Sequence, residues 1–168
     1  MAISTLYGHV SRALSFFDKS ALYFGIGRTT EWVDEQQPPA PSTDMEFIEE
    51  AVAYKKAMEK RLVVPDPQGT IFYQGDYYRE VQAADARAEK CRWVYVSTTL
   101  VGDELPLTSY RQIGFYSELE LETGVPTNQL VLLPSDVADP GLLEVVDNRK
   151  VTHRQSDQSE KLSFIIEF

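Results

Sequence analysis

Apolar positions along the chain fall into two rhythms. Between residues 3 and 18 they recur every three or four places, at Ile3, Leu6, Val10, Leu14 and Phe17, which lines one face of a helix. Ser4 stands before the stripe as a candidate N-cap. Such a helix packs on its own domain or docks on a partner. From residue 20 onward the rhythm shortens to that of strands. Residues 20–27 are apolar and aromatic, with Gly25 and Gly27 as punctuation. Thr70 to Gln74 and Tyr77 to Val81 flank Gly75-Asp76 and predict a two-residue hairpin. Arg92 to Leu100, Ser109 to Tyr116 and Gln129 to Leu133 are rich in β-branched and aromatic residues. Leu142–Val146 and Lys150–Arg154 predict a pair across Asp147-Asn148, and Leu162–Phe168 a last strand. That strand puts Phe164, Ile166 and Phe168 on one face, which must be buried in its own sheet or added to a neighbour's.

Turn signals fill the gaps: Asp66-Pro67-Gln68-Gly69, Gly102-Asp103, and Asp139-Pro140-Gly141 with a glycine where a positive φ is needed. Thr43-x-x-Glu46 has the form of a capping box and predicts a short helix over 44–50, followed by a strand ending at Val64. Residues 34–44 are irregular. Pro38, Pro39 and Pro41 fix φ and remove three donors, so this stretch reads as an extended arm. Arg28 and Trp32 lie just upstream; either they anchor the arm to another subunit, or Trp32 folds back onto its own sheet and Arg28 pairs internally. The expected architecture is mainly β, an antiparallel sheet or sandwich, with an N-terminal amphipathic helix over 1–19. A single β-rich domain over 20–168 then includes the proline-rich extended arm.

Composition narrows the function. The 168 residues carry 16 Lys and Arg against 26 Asp and Glu, a net charge of −10. That balance argues against nucleic-acid backbones and anionic membrane surfaces as partners. No run of about 18 apolar residues predicts a membrane span, and the first residues lack the pattern of a signal peptide. One cysteine, Cys91, rules out an internal disulfide and sits at the start of a strand as a buried hydrophobe would. Two histidines, His9 and His153, are too few and too far apart for a zinc site, and no metal or cofactor is expected. Gly25-Ile26-Gly27-Arg28 resembles a phosphate loop, but the third glycine and the helix after it are missing. Carboxylates adjoin at Asp34-Glu35, Glu49-Glu50 and Asp103-Glu104, but sequence neighbours are not aimed at one substrate. No catalytic residue is predicted. A glycosidase with its carboxylates drawn from distant positions stays possible on sequence alone.

Leu22-Tyr23-Phe24-Gly25-Ile26-Gly27-Arg28, then Trp32, Asp34-Glu35 and Pro38-Pro39-Ala40-Pro41, are similar to the N-terminal signature of baseplate wedge proteins of T-even-like contractile-tailed bacteriophages. Tyr110-Arg111-Gln112-Ile113-Gly114 resembles the same family. So do Asp139-Pro140-Gly141, Asp147-Asn148-Arg149-Lys150 and the run from Arg154 into Phe164-Ile165-Ile166-Glu167-Phe168. The chain is a short version of that pattern. The resemblance implies a β-rich, non-catalytic wedge subunit that assembles with other tail proteins in a symmetric assembly, as homo- and hetero-oligomer. It implies a place in the virion tail baseplate, and in the host cytoplasm during assembly. Arg28, Trp32, Pro38, Pro39, Pro41, Phe164, Ile166 and Phe168 are the expected subunit-interface residues. Two alternatives remain: a neck or tail adaptor of the same virion, and a carbohydrate-binding β-sandwich module using Tyr73, Tyr77 and Tyr78 beside the Gly75 hairpin.

Overall fold

A computed structural model describes residues 1–168. The chain is mainly β, with antiparallel sheets and one N-terminal helix, as the alternation predicts. It opens with α1, Leu6–Phe17. β1 (Leu22–Gly27), β2 (Ala53–Lys56), β3 (Glu59–Pro65), β4 (Ile71–Tyr73) and β5 (Asp76–Val81) follow. Then come β6 (Trp93–Val101), β7 (Ser109–Ser117), β8 (Glu120–Leu121) and β9 (Val131–Leu132). β10 (Val137–Asp139), β11 (Leu142–His153) and β12 (Ser159–Glu167) complete the chain. The strands form two five-stranded sheets, ordered β11-β7-β1-β2-β9 and β12-β6-β3-β5-β4, and a small β10-β8 ribbon.

The residues group into two compact units. The first comprises Met1–Ser20, Met58–Ser97 and Ser163–Phe168; the second comprises Ala21–Ala57 and Thr98–Leu162. In the first unit α1 buries Val10, Ala13 and Phe16. The buried stripe is rotated from the expected one, and Ile3 lies outside the helix and exposed. The N-cap is Thr5 rather than Ser4, because the Thr5 hydroxyl accepts from the Gly8 amide at 3.2 Å. The Phe16 ring meets Phe168 at 5.0 Å, and the Phe168 amide donates to the Arg92 carbonyl. Leu62, Val63, Val94, Val96 and Phe164 are buried in the same unit. Deleting residues 162–168 removes two buried side chains, Leu162 and Phe164, and the cover of Phe16. The truncated chain should be insoluble on expression; a soluble product with an unchanged melting temperature would contradict this packing.

Two turns agree with their sequence signals in kind. The β4–β5 loop is Gln74-Gly75 rather than Gly75-Asp76, because those two residues carry the consecutive positive φ values, 48° and 97°, of a type I′ hairpin. Gly141 turns the chain into β11 with φ 76°, its amide bonded to the Asp139 carboxylate. Three expectations fail. No helix forms over 44–50; that stretch is irregular. The Ile48 amide donates to the Tyr116 hydroxyl and the Glu49 amide to Gln112 Oε1, so side chains of β7 take donors that a helix would have used. The expected strand ending at Val64 is two strands, β2 and β3, broken at Ala57-Met58 and placed in different sheets. The expected hairpin across Asp147-Asn148 is one continuous strand, β11, paired with β7. Asn148 looks like a turn residue but works as a strand residue, accepting from Gln112 Nε2 at 2.8 Å across the pair.

Candidate functional site

The arm and its moorings lie wholly within the second unit. β1 and β7 run antiparallel with Gly25 opposite Gly114. Lacking side chains, Gly25, Gly27 and Gly114 leave a flat seat on the sheet. A Cβ on Gly114 would stand 2.7 Å from Ile48 Cγ2, and one on Gly25 or Gly27 3.0 Å from Ile48 Cδ1. Ile48 fills the seat and joins a buried cluster with Tyr23, Tyr54, Tyr116, Leu119 and Leu132. The glycines that resemble a phosphate loop therefore serve close packing.

Polar clamps fasten the rest of the segment. Arg28 holds φ 54° at the end of β1, and its guanidinium stacks on Trp32 with Cζ 3.8 Å from the ring centre. The same guanidinium pairs with the Glu49 carboxylate. Trp32 is buried, and its indole N–H donates to the Arg149 carbonyl of β11 at 2.9 Å. Arg111, on β7 and 5% exposed, donates through Nε to Glu35 at 2.7 Å and through Nη1 to the Thr29 carbonyl at 2.6 Å. Asn148 Nδ2 donates to the Pro39 carbonyl, and Lys150 to Gln36 Oε1. Arg28 and Trp32 are thus spent inside the fold, as moorings of the arm, and do not stand free on its surface. Pro38 is half-buried, while Pro39 and Pro41 are exposed, as is Val33. In the first unit Phe164 is buried, and Ile166 and Phe168 are half-buried.

Glu50, itself at φ 46°, accepts from the Thr30 hydroxyl at 2.6 Å, the Thr30 amide at 2.8 Å and the Thr29 hydroxyl at 3.1 Å. Those bonds, the Thr30 hydroxyl first, pull its carboxyl from 4.5 down to about 2. Glu35 is lowered as well, chiefly by its hydrogen bond from Arg111. A carboxylate depressed in the folded state stabilises above its unfolded value and loses that contribution as pH falls through the folded one. Thermal stability should therefore fall as pH drops from 4.5 towards about 2. Glu50→Gln should flatten part of that fall in melting curves; an unchanged acid profile would show that the clamp carries no linkage.

The candidate chemical groups are engaged locally. Glu35, Glu49 and Glu50 hold the arm, Asp34 caps the Gln36 amide, and Glu104 pairs with Lys55 at 2.5 Å. Cys91 is buried, its thiol donates to the Val63 carbonyl, and burial pushes its pKa up. One pair that sequence reasoning missed is Ser109 Oγ and His153 Nδ1, 2.7 Å apart. They are register partners at the ends of β7 and β11, and the β pairing alone brings them together. Sequence distance hid it, since the pair becomes visible only once β11 is read as one strand. Tyr110, buried on β7, donates to Glu160, which also holds Arg149 at 3.1 Å; burial, then Glu160, raises the phenol. On the β4–β5 hairpin, Tyr77 is exposed and packs on Phe72 at 5.1 Å, while Tyr73 accepts from Gln74.

What this arrangement builds is a polar and aromatic mooring for an irregular segment, spread over β1, β7 and β11. A family model described as a baseplate wedge 3 tail fiber network component matches residues 1–168. The chain belongs to that family. It is a baseplate-associated structural protein of a phage virion, and the baseplate resemblance carried by the Leu22–Pro41 signature and the later motifs is borne out. Virion protein 3 of Enterococcus phage phiEF24C is 32% identical over 173 residues, an alignment that covers 99% of this chain and 94% of that protein. The family is one of the baseplate, so a station at the neck is set aside.

Proposed function

We propose that this baseplate component is a wedge subunit that works by assembly and not by catalysis, associating with other baseplate and tail proteins in the virion after synthesis in the host cytoplasm. The family match carries this reading, because the family is described as a baseplate wedge and tail fiber network component. The moored arm supports it: Pro39 and Pro41 are exposed, the Pro39 carbonyl accepts from Asn148, and Arg111 holds Glu35 at the start of the same arm. An arm already ordered in the free protein loses little entropy on docking. Residues 1–19 supply the N-terminal helical segment, and residues 20–168 the β-rich domain that carries the 34–44 arm. The partners are proteins, with no nucleic acid among them.

The test is the solution mass, by light scattering, of the protein alone and mixed with purified baseplate proteins of the same virion. A stoichiometric complex is expected, and Ser109→Ala should enter it as readily as the parent. Failure to join any of them would overturn the reading. The exposed Phe72–Tyr77 pair favours a second one, in which the hairpin stacks on sugar rings. Its mark would be calorimetric heat with oligosaccharides that vanishes in Tyr77→Ala.

A further inference from the structure

Arginines in this chain are matched with carboxylates. Arg28, Arg61, Arg79, Arg92, Arg111 and Arg149 each hold one or two. Arg12 and Arg87 do not, but both are exposed and reach water. Arg154 is the exception: it is part-buried and in no ion pair, in a chain of net charge −10. Its Nη2 donates to the Gly102 carbonyl at 2.7 Å, and its Nη1 is buried with no acceptor. A buried donor left so is costly until something outside the chain completes it.

Arg154 lines an open pocket of about 230 Å3 where the turn from Arg154 to Gln158 joins β11 to β12. The pocket lies wholly within the second unit. Its frame is pinned: the Gly102 amide donates to the Gln158 carbonyl at 3.0 Å. Gly102, at φ 44°, lies so close to the turn that a Cβ would stand 2.9 Å from the Ser156 carbonyl oxygen. Beside Arg154, the side chains of Gln155, Gln158 and Ser159 carry donors that no group of the chain accepts. His153 gives its Nδ1 to Ser109, which leaves Nε2 uncommitted. Glu160 also lines the pocket, but its oxygens already accept from Tyr110 and Arg149, so its charge is matched.

We infer that this pocket takes one carboxylate, an aspartate or glutamate side chain presented by a partner protein of the baseplate. One guanidinium lacks one charge, and a carboxylate matches its planar fork. A phosphate would set nearly two negative charges beside Glu160 against the same single cation. Volume limits the occupant as well: the pocket is smaller than the roughly 300 Å3 at which sites for whole small molecules begin, and suits the end of one side chain. On entry the fork turns about its Nη2 bond and brings Nη1 onto the carboxylate. That the carboxylate comes from a protein rests on the assembly reading; the chemistry of the pocket does not.

The test is an NMR titration of the isotope-labelled protein with acetyl-glutamate-amide, whose one carboxylate is on its side chain, against acetyl-glutamine-amide and inorganic phosphate. The glutamate probe should shift the Arg154 Nε–H and Gln158 side-chain signals saturably, and the glutamine probe should not. Arg154→Gln should abolish the Gln158 response, with melting curves to check the fold. Should that variant fail to fold, Arg154→Lys, which keeps the charge but loses the fork, must weaken the response about tenfold. Equal responses to the two amides, tighter binding of phosphate, or a response indifferent to the substitution at Arg154 overturns the inference. In the mixture with purified baseplate proteins, Arg154→Gln should weaken the complex about tenfold. A complex of unchanged affinity would overturn this inference and leave the assembly reading intact. No complex at all, with the glutamate response present, would sink the assembly reading and uphold the carboxylate site.

Discussion

Ile48→Ala should lower the stability of the chain by about 3 kcal/mol, the middle of the range for emptying a large aliphatic site in a packed core. Ile48 is 5% exposed and rests on three glycines that bring no side chain to collapse into the space. Its neighbours Tyr23, Tyr54 and Tyr116 are large and held in the sheet, and the Tyr116 hydroxyl accepts from the Ile48 amide itself. The cavity therefore stays open, which keeps the cost away from the low end. Because Ile48 and Trp32 are the two buried apolar side chains in an irregular segment running from Arg28 to Val52, loss of Ile48 should also free that segment locally. Urea unfolding should show a lower midpoint with unchanged slope, and limited proteolysis should cut faster between residues 29 and 47. A loss below about 1 kcal/mol would show that polar clamps alone hold the arm.

Arg111→Ala should cost about as much, near 3 kcal/mol, by a different route. The guanidinium is buried on β7 and spends its donors on the Glu35 carboxylate and the Thr29 carbonyl. Taking it away leaves the Thr29 carbonyl without its donor, removes the Arg111 donors from Glu35, and empties the buried space that the side chain fills on β7. Glu35 keeps a fraction of its surface in water, which holds the cost to the lower part of the range for broken buried pairs. Arg111→Lys should rescue little, since one ammonium cannot reproduce the planar fork that reaches both acceptors. In a double-mutant cycle, Arg111→Ala with Glu35→Ala should cost clearly less than the sum of the two. Additive losses would place the arm's stability elsewhere.

Both predictions rest on residues whose roles were only partly visible in the sequence. Arg111 stands in the Tyr110–Gly114 motif, but nothing in its own strand names Glu35, 76 residues away, as its partner. Of the two readings the sequence leaves open for Trp32 and Arg28, the contacts within the chain are the internal ones, Trp32 on β11 and Arg28 on Glu49. The sequence places Ile48 within a short helix over 44–50. Its neighbours Thr43 and Glu46 do spell a capping box, but local spacing cannot report that Tyr116 and Gln112 compete for the amides of Ile48 and Glu49. Asn148 misled for the same reason, because its turn propensity is overridden by bonds to Gln112 and Pro39.

Alternation of side chains by itself determined that this chain is mainly β with one amphipathic helix, because burying one face of a strand or helix imposes a period that local sequence must carry. The Gly141 turn and the presence of a hairpin at Gly75 belong with it, though the loop sits one residue earlier than the sequence placed it. Baseplate membership was legible too, in motifs short enough to be read without a fold. The tertiary structure decided which face of the helix is buried, that β11 is one strand, and that Ile48 sits on a glycine seat. It also decided that the arm lies along β11. Each of these depends on partners far apart along the chain, and pairing energy of that kind leaves no periodic trace in the segment that receives it.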